Sequence, residues 1–191
     1  MNPKTTVDGI DYGPLAGLIG TWTGDKGIDI APDPAGQEEN PYFETLLFEA
    51  IGDLTNANEQ KLAALRYHQV VSRKSDRKVF HNETGYWMWD AATGTVMHSL
   101  TIPRGVCVLA GGKAAPAGAG DKTVLEVNAA LGDKDWGVVQ SPTMRDKAST
   151  VRFSQKITVS GDDLSYFDTT TVQIYGKAFE HTDGNRLKRQ G

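Results

Sequence analysis

Apolar and polar residues alternate with period two along most of the chain, and runs with helical period are scarce. The alternation predicts strands over residues 21–30, 42–51, 62–72, 79–89, 95–102, 105–110, 123–130, 150–159, 164–175 and 177–188. Ala91-Ala92-Thr93-Gly94 and Ser160-Gly161-Asp162-Asp163 carry the Gly and Asp that hairpin turns favour. One short helix is expected near residues 13–19: Pro14 suits its first turn, Leu15, Ala16, Leu18 and Ile19 follow, and Gly20 ends it.

About ten antiparallel strands with short turns point to an all-β, up-and-down barrel of the lipocalin and fatty-acid-binding-protein shape, because closure removes exposed sheet edges. A two-sheet sandwich is the competitor. The barrel is favoured by its opening, a short helix followed by Gly20-Thr21-Trp22 at the start of the first strand. A barrel of this size encloses one small ligand, whereas a sandwich fills its interior with side chains. Residues 1–12 are expected to be a flexible N-terminus and 13–191 a single barrel domain. The Gly- and Ala-rich stretch 111–120 reads as a flexible loop, and 132–147, with Trp136 and Met144, as an excursion folding over the barrel mouth.

Composition narrows the partners. The 191 residues are 39% hydrophobic, enough for one soluble domain with its own core, and a formal net charge of −4 argues against a nucleic-acid phosphate backbone. The basic clusters at 73–78 and 186–189 read as solvated turns. Cys107 is the single cysteine, so no internal disulfide forms, and its apolar surroundings predict a buried thiol. Neither an apolar stretch of membrane-spanning length nor a signal-type N-terminus is present, which makes the cytoplasm the expected compartment. P-loop, HExxH and nucleophile-elbow patterns are all missing.

The richest stretch is His81-Asn82-Glu83-Thr84-Gly85-Tyr86-Trp87-Met88-Trp89-Asp90. Strand parity places His81, Glu83, Trp87 and Trp89 on one face, an imidazole in line with large apolar rings. Of the other histidines, His68 reads as structural and His98 could lie on either face. His181 shares parity with Phe179 on the last strand, which in a closed barrel pairs with the first and brings His181 toward the cavity of His81. Two imidazoles entering an apolar, aromatic-lined barrel suit haem, one as iron ligand and one shaping the opposite side.

In this order of elements the chain resembles the nitrobindins, from about residue 13 to 189. The resemblance rests on the helix, Gly20-Thr21-Trp22-Thr23-Gly24, Tyr42-Phe43-Glu44-Thr45, His81-Asn82-Glu83-Thr84-Gly85-Tyr86-Trp87 and a final histidine strand. It implies haem b, held by His181 as axial ligand, with His81 in the distal pocket. Thr21 and Trp22 would belong to the first-strand signature, and Trp87 would line the cavity. It also implies a ferric centre that reacts with nitric oxide and isomerises peroxynitrite. The partner is then a small molecule, with no nucleic acid and no membrane, and a homodimer is left open. The alternative is a non-catalytic carrier of a small hydrophobic ligand, without haem, in which His181 is structural.

Overall fold

A computed structural model describes residues 5–114 and 122–191. A small hairpin, β1 (Thr6–Val7) and β2 (Ile10–Asp11), precedes a 3-10 helix over Gly13–Leu18. Then come β3 (Gly20–Asp33), β4 (Gly36–Asn56), β5 (Gln60–Arg73), β6 (Val79–Asp90), β7 (Thr95–Ile102), β8 (Val106–Lys113) and β9 (Lys122–Ala130). A three-residue β10 (Val138–Gln140) and the helix α1 (Pro142–Lys147) lead into β11 (Ala148–Ser160), β12 (Asp163–Ile174) and β13 (Lys177–Arg189).

Ten long antiparallel strands make a closed barrel in the order β8-β7-β6-β5-β4-β3-β13-β12-β11-β9, with β10 laid on β8. The first long strand pairs with the last through Asp29↔Asp183 and Ile30↔Thr182. Closure between β8 and β9 is narrower, at Gly111↔Asn128 and Ala114↔Leu125. Gly112 permits that approach, since a Cβ there would lie 1.9 Å from the Glu126 carbonyl oxygen.

One end of the barrel is plugged. The 3-10 helix buries Leu15 and Leu18 completely beside Trp22, whose indole Nε1 donates to the Leu18 carbonyl at 2.7 Å. The Arg189 guanidinium covers the same ring at 4.1 Å. A tryptophan placed this way satisfies its one polar atom while burying the rest of its surface.

Two irregularities aim side chains at the other end. Between Gly24 and Gly27 the β3–β4 register shifts, so that Asp25 and Lys26 bulge outward and are exposed. Gly27 then lies against the Tyr42 ring, which a Cβ at that position would enter at 2.0 Å. In the β5–β6 pair, Val71 faces His81 while Ser72 faces Val79, and the extra residue Phe80 reaches the barrel mouth. Such bulges are a common way to re-aim a side chain.

All ten expected strands form, as does the short helix, and the remaining segments are placed as follows. Residues 6–11 pair as a hairpin, and 132–147 contains β10 and α1. Cys107 is exposed, not buried, because the inward parity of β8 belongs to Val106, Val108 and Ala110. Residues 186–189 are not a turn but the end of β13, with Leu187 buried between outward Arg186 and Lys188. Of the expected flexible loop, Gly111, Gly112 and Lys113 belong to β8, and 115–120 lie outside the described residues. Among the described residues no helix is long and apolar enough to cross a membrane.

Candidate functional site

The open end leads into a cavity of about 380 Å³, a size that suits a small-molecule site. Its two halves differ sharply. Leu100 and Ile102 of β7, Val106 and Val108 of β8, Phe153 of β11 and Val172 of β12 form an apolar wall. The opposite wall is polar, with Asp29 and Asn40 on β3 and β4, His81 and Glu83 on β6, Asp168 on β12 and His181 and Asp183 on β13. Met144 of α1 lies at the mouth, where the 132–147 excursion was expected to fold. A depression of about 710 Å³ on the outer face, around Tyr86, Leu109 and Val139, is larger but holds no histidine.

His181 and His81 meet in the cavity, as strand parity required. His181 Nε2 lies 2.5 Å from Asp29 Oδ1 and 3.3 Å from Asp183 Oδ2, and Asn40 Nδ2 donates to Asp29 Oδ2 at 2.9 Å. Burial alone would lower the His181 pKa, but the Asp29 hydrogen bond and the Asp183 charge outweigh it and raise it above 6.5. His81 behaves alike: burial lowers its pKa, and Glu83, 3.4 Å from Nε2, raises it further. Glu83 is held by the Tyr67 hydroxyl, which donates to Oε1 at 2.6 Å. Burial pushes Asp183 up to about 6, and Asp168 is raised well above the usual carboxylate range by burial and then by the Asp183 charge.

Thr21 and Trp87 are placed elsewhere. Thr21 pairs with Leu47 near the plugged end, on the parity opposite the inward Trp22, and does not line the cavity. Trp87 shares the inward face of His81, but it lies deeper in the barrel and is 1% exposed, stacked on the His98 ring at 4.3 Å. Parity fixed the face of Trp87 but not its depth. The core of the barrel claims it before the cavity begins.

Sequence reasoning passed over the acidic wall. Its signal was an inverted alternation: Ile28 is 44% exposed while Asp29 is 3% exposed, and Phe167 is exposed beside inward-facing Asp168. Polar residues on the inner face with apolar ones outside mark a wet cavity wall rather than a core.

The donor set can be tested against haem. Imidazole is a common axial ligand of haem iron, and two imidazoles open onto the cavity. The apolar wall offers dry surface for a flat macrocycle. Among the described residues, Arg73 and Arg104 are the permanent cations at the mouth, and the buried Arg73 Nε has no hydrogen-bond partner, a spare donor for an acidic substituent. These residues fit the group, on one condition: His181 Nε2 must release Asp29.

A closed ten-stranded barrel with such a cavity belongs to the class of small-molecule-binding β-barrels. More particularly, residues 11–189 match the model of the THAP4-like, heme-binding beta-barrel domain, and the chain belongs to that family. The chain is similar to the crystal structure of Rv2717c from M. tuberculosis, with a TM-score of 0.70 and 24% identity. That likeness covers 93% of this chain and 95% of the other, and it bears on the fold. No curated protein matches the sequence.

Proposed function

We propose that this barrel binds haem b in its cavity with His181 as axial ligand and His81 on the other side, and that the bound haem reacts with nitric oxide and peroxynitrite. One observation carries the proposal: the two imidazoles converge on a single cavity whose opposite wall is apolar. When bound, haem supplies an iron centre with a coordination position open to nitrogen-oxide species. The chain's residues do the rest. His181 would offer a neutral nitrogen to the iron once it releases Asp29. His81 holds a proton toward Glu83 with the aid of Tyr67, and can present it to an anion in the cavity. Leu100, Val108 and Phe153 would keep water from the apolar half, and Arg73 and Arg104 would offer charge to the acidic groups of the macrocycle.

A carrier of a purely hydrophobic ligand fits less well, because Asp29, Asn40, Glu83 and Asp183 keep one wall of the cavity polar. The test is a haemin titration of the purified chain, followed by stopped-flow decay of peroxynitrite. A Soret band saturating at one haemin per chain, with decay faster than free haemin gives, is expected. A chain that stays colourless with excess haemin would leave only the non-catalytic carrier.

A further inference from the structure

The polar wall carries an arrangement that haem does not explain. Strand register lines up one residue from each of five neighbouring strands: Asn40 opposite Asp29, Asp29 opposite Asp183, Asp183 opposite Asp168, and Asp168 opposite Gln155. Three carboxyl groups therefore stand side by side at one level, and groups so placed on a sheet are eased by sharing a proton or a cation. The donors present do not match the acceptors. Among the described residues, Asp29 has Asn40 and His181, Asp183 has only His181 at 3.3 Å, and Asp168 has only Gln155 Nε2 at 3.5 Å. Gln155 Oε1, at the end of the row, is buried without any donor. An acceptor-rich, donor-poor row facing a cavity suits a cation.

We propose that Asp29, His181 and Asp183 form a binding site for a divalent first-row transition ion, in the same cavity as the haem site and in competition with it for His181. The three side chains each present a ligand atom, and those atoms lie within 4.8 Å of one another. Zinc bonds to carboxylate oxygen and imidazole nitrogen are about 2.0–2.2 Å, so ligand atoms around one ion stand roughly 3.0–3.5 Å apart. The His181–Asp183 separation of 3.3 Å already meets that spacing, and the Asp29–His181 contact of 2.5 Å needs to widen by less than about 1 Å. One imidazole and two carboxylates form a borderline donor set that suits Zn²⁺, Co²⁺ or Fe²⁺ better than Ca²⁺, which takes six or more oxygens. Asn40 steadies the far oxygen of Asp29, the outer-shell support that metal-binding carboxylates commonly have. Three protein ligands beside an open cavity leave further coordination positions for water or a small anion.

Metal binding does not depend on the haem reading, the competition for His181 does, and the experiment separates the two. The metal-free full-length chain is titrated with Co²⁺ and followed by visible ligand-field absorption, with Zn²⁺ back-titration and calorimetry. One Co²⁺ per chain, displaced by Zn²⁺, is expected. Asp183→Asn and His181→Ala should each weaken Co²⁺ binding more than 100-fold, while Asp168→Asn, outside the three ligands, changes it less than tenfold. Far-UV circular dichroism checks that each variant is folded. Zn²⁺-loaded protein should take up haemin at least tenfold more weakly than metal-free protein. Absence of Co²⁺ binding at millimolar concentration, or equal binding by folded His181→Ala, would overturn the proposal and leave haemin binding untouched. A chain that binds Co²⁺ but never haemin would sink the haem reading and leave this site standing.

Discussion

Glu44 makes the stability of this barrel depend on pH in a direction opposite to that of an ordinary surface carboxylate. It lies on β4 at 3% exposure and accepts from Gln69 Nε2 at 2.7 Å, Asn185 Nδ2 at 2.7 Å and the Tyr166 hydroxyl at 3.0 Å. Burial raises its pKa from 4.5 to about 7, against the lowering effect of those hydrogen bonds. Between the two values the folded state holds a proton that the unfolded state releases, so the free energy of unfolding falls as pH rises. The contribution is fully present below pH 4.5 and lost as pH climbs through about 7. At about 1.4 kcal/mol per tenfold change in proton affinity, the whole span is worth about 3 kcal/mol. Glu44→Gln removes the titration while keeping the shape. Its amide oxygen can face Asn185 and Tyr166, and its amide nitrogen meets Gln69, whose side-chain amide turns over to present oxygen. Urea unfolding of both proteins at pH 5 and pH 8 isolates the group, because other titrating residues cancel in the difference of differences. The parent should lose about 2–3 kcal/mol more than the variant over that interval. Parallel pH profiles, agreeing within about 0.5 kcal/mol, would show that Glu44 is not a buried proton-binding group.

Trp22→Ala should cost about 3–5 kcal/mol in chemical denaturation, as large-to-small core changes do, because it empties the plugged end, leaves the Leu18 carbonyl without its indole donor and removes the ring under Arg189. His98 is 1% exposed with neither ring nitrogen paired, and burial holds its pKa down to about 4. Its neutral form stabilises the fold above pH 6.5, and that contribution is lost as pH falls toward about 4. His98→Phe, which keeps the stack on Trp87, should therefore unfold at lower pH than the parent in an acid titration followed by tryptophan fluorescence. An unchanged acid midpoint would contradict the buried neutral imidazole.

The fold was legible because strand periodicity is local. Each run from 21–30 to 177–188 announces its two faces, and most of the observed strands reach beyond those runs, β4 furthest, over Gly36–Asn56. His81 and His181 were legible for the same reason, since parity alone turns both inward. What parity cannot supply is depth along a strand, and that is where Trp87 went to the core and left the cavity wall. Thr21 lay on the outward parity of β3, so only the family signature, not its own pattern, pointed to it. The row Asp29–Asp183–Asp168 was hidden because it depends on cross-strand register among β3, β13 and β12, which bulges such as the one between Gly24 and Gly27 set. Its trace in the sequence is the inverted pattern Ile28-Asp29-Ile30, which is easily taken for an ordinary exposed aspartate. Helix α1 was missed because its six residues are too few for helical periodicity to register, although Ser141 caps it and Pro142 opens it.

The central claim is that His181 supplies the axial bond to haem, and a rescue experiment tests it directly. His181→Gly leaves a gap on β13 that free imidazole can enter, while the cavity walls stay in place. Haemin titration of this variant, with and without added imidazole, should show binding greatly weakened alone and restored, with the parent's Soret position, when imidazole is present. Haemin bound by His181→Gly as tightly as by the parent without imidazole, at the same Soret position, would contradict the assignment.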